Sequence, residues 1–217
     1  MLQRGQSEEA TRLFQDILKQ YPDNLDAIVN LIYLARFPNH GTQDDVETLY
    51  KKALQIDPGI PRIYGYYGAV MASQGKFDAA VAAMNKAIEL KPDYADAHLW
   101  LGGVLEQQNR AAEAIAQYRL ALAAQPAYRP AQLELGRILV NLGRHREAIP
   151  ELLPALKVDD ANTPIVMLYL AQAYANLGDL EKAREYLKQA RIRVSKTGPP
   201  ELLEQIDKGL TQLGSRP

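Results

Sequence analysis

Apolar residues recur along this chain at helical spacing, in runs that a proline repeatedly brings to an end. Pro22 follows LKQY, Pro58 follows LQID, Pro92 follows IELK and Pro126 follows LAAQ, at a nearly constant interval of about 34 residues. One more such interval on, the sequence reads VDD and ends at Asp160. Proline lacks the N–H that a helix interior needs, and its ring clashes with the preceding turn, so each proline closes a helix. Gly75, Gly143 and Gly178 supply a second punctuation, because a left-handed residue ends many helices. Together these marks predict an all-α chain with helices over 6–20, 25–36, 44–56, 61–74, 78–90, 95–108, 112–124, 130–142, 145–157, 164–177, 179–194 and 200–213.

Between the prolines, small and large residues return at matching places. One segment carries Gly68, Gly75, Ala80, Ala87 and Pro92. The next has Leu101, Gly102, Leu105, Ala114, Tyr118, Ala121 and Pro126. It is followed by Leu135, Gly136, Leu139, Gly143, Ala148, Leu152 and Ala155, and then, one residue later in register, by Leu170, Ala171, Tyr174, Gly178, Ala183, Leu187 and Ala190. Glycine and alanine let two helices approach closely, and the leucines and tyrosines fill the space beside them. This pattern resembles the tetratricopeptide repeat, W-x2-L-G-x2-Y followed by A-x3-F and then A and P over about 34 residues. The resemblance covers nearly the whole chain. It implies a helical-hairpin solenoid, a right-handed superhelix, read as a single domain over 1–217. A partial repeat over 1–24 precedes repeats 25–60, 61–94, 95–128, 129–162 and 163–197, and a capping helix spans 198–217.

Three places depart from the regular pattern. FPNHGTQ at 37–43 carries the two extra residues of the second unit. Pro150 and Pro154 fall inside the predicted helix 145–157, where a proline costs about 3 kcal/mol and frees a carbonyl one turn back; the expectation is a kinked outer helix with those carbonyls facing water. At the ends, Leu202, Leu203, Ile206, Leu210 and Leu213 gather on one face of the last helix, as a solvating cap requires. Gly5 sits where a first helix should end, and Ala10, Phe14 and Ile17 form the face such a helix would cover. That reads as an excerpt of a longer protein, with cover by another subunit as the sharper reading.

Composition adds mainly exclusions. A formal net charge of −1 argues against a dedicated nucleic-acid binder, and the apolar runs fall short of the ~20 residues that cross a bilayer. The absence of cysteine removes disulfides, thiolate nucleophiles and cysteine-ligated metals. MLQRGQSEEA lacks a signal-peptide core, which leaves a cytoplasmic location as the default and export as the case of a processed fragment. No phosphate loop, nucleophile elbow or HExxH stands in the chain. His40, His98 and His145 occupy separate repeats; His98 reads as a hydrogen-bonded packing residue, and Asp44 and Asp45 beside His40 as first-turn acids. Arg184, Lys188 and Arg191, interleaved with Glu181 and Glu185, read as a solvated face rather than an anion site. No cofactor, no metal and no catalytic residue is expected.

The resemblance also implies a use. In tetratricopeptide proteins the first helices of successive repeats line a concave groove that binds a peptide or partner helix. Carried across residue by residue, the lining positions are Asn30, Tyr66, Trp100, Glu134 and Tyr169, with Tyr33, Gly65, Ala69, Leu99, Gly103, Glu106, Arg137, Gln172 and Asn176 beside them. Aromatic and arginine side chains are the usual anchors of interfaces, and Gly65, Ala69 and Gly103 are read as leaving room for a ligand. The lysine–asparagine–arginine carboxylate clamp of some members is not reproduced: Val29, Tyr33, Tyr66, Pro130 and Glu134 stand there. The leading expectation is a protein–protein interaction scaffold; the alternatives are a self-associating subunit, joined through an open N-terminal end, and the recruiting module of a larger enzyme.

Overall fold

The computed structural model describes residues 4–37 and 45–214, with side chains described for 7–37, 45–194 and 198–214. His40, Asp44 and most of the 37–43 insertion therefore lie outside the described residues. Every element among the described residues is helical, and the chain falls into two compact units, Met1–Ala124 and Gln125–Pro217.

In the first unit α1 is Arg4–Gln20, α2 Leu25–Leu34, α3 Val46–Ile56, α4 Pro61–Ser73, α5 Phe77–Leu90, α6 Ala95–Gln107 and α7 Ala111–Ala124. The pairs α2/α3, α4/α5 and α6/α7 are hairpins, and α2, α4 and α6 pack in sequence. In the second unit α8 is Arg129–Asn141, α9 His145–Leu152, α10 Thr163–Asn176, α11 Leu180–Thr197 and α12 Pro200–Gly214. Here α8 pairs with α9, α10 with α11, and α12 covers α11. Except at the end of α9, each boundary lies within a few residues of the sequence expectation. One local reading is corrected: α1 already includes Gly5, so this glycine does not end a preceding helix.

Two small turns produce the hairpins. After α4, α8 and α10 the chain passes through Gly75, Gly143 and Gly178, at φ 73°, 73° and 87°. The N–H one residue later reaches back to close the helix end, as in Lys76 to Met71 at 2.9 Å and Arg144 to Leu139 at 2.8 Å. After α6 the same place is taken by Asn109, at φ 61°, with Arg110 N–H donating to the Leu105 carbonyl at 2.9 Å. Asparagine is the residue besides glycine that tolerates this region best. The second turn follows the proline, where Tyr94 N–H bonds Lys91 O and Tyr128 N–H bonds Gln125 O, both at 3.0 Å.

A further hydrogen bond pins each proline turn to the helix after it. The Tyr64 hydroxyl donates to the Pro58 carbonyl at 3.0 Å, and the Gln132 carboxamide donates to that of Pro126 at 3.0 Å. His98 Nε2 lies 2.9 Å from the Pro92 carbonyl. These donors stand one repeat apart in sequence, so three different side chains do one job. The buried His98 also has Nδ1 2.7 Å from the Gln117 carboxamide. Both ring nitrogens are thus within hydrogen-bond reach of an oxygen, Nδ1 of Gln117 Oε1 and Nε2 of the Pro92 carbonyl.

Small residues set the distance within each hairpin. A Cβ on Gly102 would come 2.5 Å from the Tyr118 ring, and one on Gly68 would meet Met84 and the Ala80 carbonyl at 3.0 and 3.2 Å. Gly136 is covered in the same way by the Leu152 side chain. Tyr118, Leu135, Leu139, Leu152 and Leu170 are fully buried around these contacts. Burying a large apolar side chain of this kind contributes roughly 1.5–3 kcal/mol.

The prolines of the fifth repeat change the helix type. Residues 145–157 are not one α-helix: α9 stops at Leu152, and Leu153–Lys157 is a 3-10 helix. Not every carbonyl of this segment faces water, because Arg129 Nε donates to Ala155 O at 2.7 Å. The same guanidinium pairs with the Asp160 carboxylate and reaches the Thr163 hydroxyl at 3.2 Å. The basic face of α11 is also more committed than the sequence reading held. Arg184 donates to the Leu213 carbonyl at 3.1 Å, and Arg191 pairs with Asp207 at 2.5 Å, so two of its three cations tie α11 to the cap.

Candidate binding surface

The first unit gathers several of its aromatic residues into one continuous run. Tyr33 stands on α2, Tyr66 on α4 and Trp100 on α6. Because each is placed by the first helix of its own hairpin, stacking the hairpins brings the rings into register. The centroids of Tyr33 and Tyr66 are 4.5 Å apart, and those of Tyr66 and Trp100 5.8 Å. Tyr94 meets the edge of Trp100 at 6.3 Å, and Phe37 extends the run beyond Tyr33 at 6.1 Å. Tyr33, Tyr66, Tyr94 and Trp100 are all partly buried, so each ring packs on its neighbours and still presents surface.

Polar groups border this run. The Arg36 guanidinium lies 4.1 Å over the Tyr33 ring and donates to the Tyr33 hydroxyl at 2.6 Å. Arg62 pairs with Asp26 at 2.5 Å across α4 and α2. Asn30, at the sixth position of its repeat, turns its Nδ2 to the Asp26 carbonyl one turn back, at 2.7 Å. Burial pushes the Tyr66 phenol up, with Arg62 opposing it, and burial pushes Tyr94 up as well. Both remain neutral hydroxyls at ordinary pH, able to donate and accept.

One part of the sequence expectation is overturned. Gly65 leaves no space for a ligand: a Cβ there would lie 3.1 Å from both the Trp100 ring and the Tyr94 ring. The glycine makes room for the tryptophan. Tyr94, Arg36 and Arg62 were missing from the expected set. The signal for Tyr94 was present, since it follows Pro92 by two residues and lies beside the first turn of α6.

The other expected residues lie in the second unit. Glu134 and Arg137 on α8 pair with each other at 2.8 Å. Tyr169 is half-buried on α10. Gln172 is exposed, and its backbone carbonyl accepts from Asn176 at 2.8 Å. Among the described residues no three histidine, aspartate or glutamate side chains converge as a metal site, and no helix is long and apolar enough to cross a membrane.

Comparison with known proteins decides what the hairpins are. The sequence model of the tetratricopeptide repeat matches residues 72–129 and 133–196, more than half of the chain, and a related model of the same repeat matches residues 1–24. The chain belongs to the tetratricopeptide repeat family. Among solved structures, this tetratricopeptide protein is similar to PilW, described as a type IV pilus biogenesis factor, at 24% identity and a TM-score of 0.73, covering 93% of this chain and 91% of that one. It is also similar to pilF of Pseudomonas aeruginosa, at 20% identity and a TM-score of 0.71 over 95% and 91% of the two chains. YrrB, described as a TPR protein with an unusual peptide-binding site, matches at 20% identity and a TM-score of 0.64 over 90% and 97%. At these identities the likeness shows the fold. No curated protein sequence matches significantly. The tetratricopeptide fold itself fits protein–protein interaction.

Proposed function

We propose that this chain is an interaction scaffold that holds a peptide or a partner protein against the aromatic run of its first unit, and that its role is binding rather than catalysis. The run from Tyr33 through Tyr66 to Trp100 supports this reading. Aromatic anchors inside a polar border are the usual centre of a protein interface, with tyrosine, tryptophan and arginine carrying most of the energy. A role of the kind attributed to YrrB, peptide binding, is consistent with it. We assign Glu134, Arg137, Tyr169 and Gln172 to partner contact on the second unit.

The sequence holds a single tryptophan, so emission excited beyond the tyrosine absorption band reports on Trp100 within this chain. Partners captured from the source cells, purified and titrated into the intact chain, should shift its emission to shorter wavelength. Trp100→Phe should weaken such a partner by about 1 kcal/mol, and Trp100→Ala by ~2 kcal/mol or more. Because Trp100 also covers Gly65, the phenylalanine variant guards against a loss caused by local unfolding. A partner that binds with unchanged emission and equal affinity for both variants would defeat the proposal.

A second reading, assembly of the chain with itself, draws on α1, where Leu13 is 59% exposed and Tyr21 near its end 64%. Sedimentation of the intact chain over a wide concentration range would show association if this holds. A single monomer boundary throughout would exclude it.

A further inference from the structure

We propose that the cleft between the 3-10 segment Leu153–Lys157 and the proline turn at Pro126, in the second unit, is a binding site for a small hydrophobic carboxylate, such as an arylalkanoic acid. It stands independently of the aromatic run and shares no residue with it. Two walls form the cleft. In a 3-10 helix the side chains at i and i+3 eclipse one another, so Pro154 and Lys157 stand in line along one wall. A continued α-helix would turn them apart. The opposite wall is the turn itself, Pro126 and Ala127, pinned by the Gln132 bond to the Pro126 carbonyl at 3.0 Å. Arg129 Nε holds the Ala155 carbonyl at 2.7 Å, which ties the 3-10 segment to α8 and keeps the walls at a fixed spacing. Val158 also lines the cleft and is 51% exposed, so a hydrocarbon seated against it removes apolar surface from water. The cleft has a volume of about 280 Å³, just below the roughly 300–1,000 Å³ of sites for drug-sized ligands and nearly twice the ~150 Å³ cavity that takes up benzene. One ring with a short chain fits such a space.

The polar groups at the cleft select the rest of the ligand. The Gln132 carboxamide is committed to the Pro126 carbonyl. The Arg129 guanidinium is engaged by the Ala155 carbonyl, the Asp160 carboxylate and the Thr163 hydroxyl. Asp159, the other acid of this turn, pairs with Arg193 at 3.4 Å. Lys157 remains, exposed and with no ion pair among the described residues. Pro126 and Pro154 carry no N–H, so the two walls offer little to a peptide backbone. One cation beside hydrocarbon walls is complementary to one anion on a hydrocarbon body.

The test titrates phenylacetate into the intact chain and follows the backbone amide signals by NMR. Those of Ala127, Lys157 and Val158 should shift together and saturate, while those of Tyr33, Tyr66 and Trp100 stay in place. Phenylacetamide, the same body without the charge, should bind about fivefold more weakly. Acetate, the charge without the body, should give no saturable shift. Lys157→Gln should bind phenylacetate as weakly as wild type binds phenylacetamide and should not discriminate between the two, because the pair that told them apart is gone. Lys157 is exposed, so melting curves should show the variant folded. The proposal is overturned if phenylacetate gives no saturable shift at those three residues, if phenylacetamide or acetate binds as tightly, or if Lys157→Gln keeps the wild-type preference for the acid. Saturable shifts confined to the run from Tyr33 to Trp100 would also overturn it, and would leave the reading of that run as a partner surface intact.

Discussion

Two positions show how little of a repeat depends on residue identity. At the end of α6, Asn109 occupies the left-handed place that glycine holds in three other turns. A left-handed residue with an ordinary side chain costs about 1–2 kcal/mol, which asparagine partly avoids by hydrogen-bonding locally. Asn109→Ala should therefore lower stability by about 1 kcal/mol in denaturant titration, Gly143→Ala by about 1–2 kcal/mol, and Asn109→Gly should leave it level or slightly higher. At the proline seam, His98→Gln should be nearly neutral because Gln132 already makes that bond one repeat on. His98→Leu should cost about 1–3 kcal/mol, since it removes the hydrogen bonds to the Pro92 carbonyl and the Gln117 carboxamide. The sequence marked the glycine turns plainly, because three of the four used the expected residue. It hid Asn109 and the seam, because neither position repeats its letter. It also misled at Gly65, where a small residue read as vacant space holds the Trp100 ring.

Helix boundaries were legible because glycine and proline punctuate them. Helix type was not, where the prolines fell inside an element. Pro150 and Pro154 announced an irregularity, yet the 3-10 helix that results depends on a partner from outside the segment, Arg129, which no local pattern reveals. This element has its own pH response. The bond from Arg129 holds the Asp160 carboxyl below its ordinary value, helped by the Asn162 and Thr163 amides. A depressed carboxylate contributes stability that is present above the unfolded value, about pH 4, and is lost as pH falls through the folded one. Acid titration should thus loosen Leu153–Lys157 below about pH 4, and Asp160→Asn should lower amide protection there already at neutral pH and remove its dependence on acid. Full protection of 146–156 in the wild type would contradict the break in the helix.

Among the described residues each hairpin packs on its neighbours within its unit, the condition under which stability is a sum of local terms. Damage should then stay local. Gly102→Val would drive a branched side chain into Tyr118 and cost roughly 1–3 kcal/mol. Native-state exchange should show α6 and α7 losing protection while α2 keeps its own. A uniform loss along the first unit would mean that its hairpins melt as one body. The repeat period, the hairpins and the cap could be read from the chain because each is encoded several times over.

The seam at Tyr64, His98 and Gln132 also bears on ancestry. A joint that accepts a phenol, an imidazole or a carboxamide constrains only the presence of a donor of suitable reach, so its letters can turn over without disturbing the stack. Lineages built on such joints drift apart in spelling while their backbones still superpose, which is how a chain can share one residue in five with a known structure and still follow its course almost from end to end.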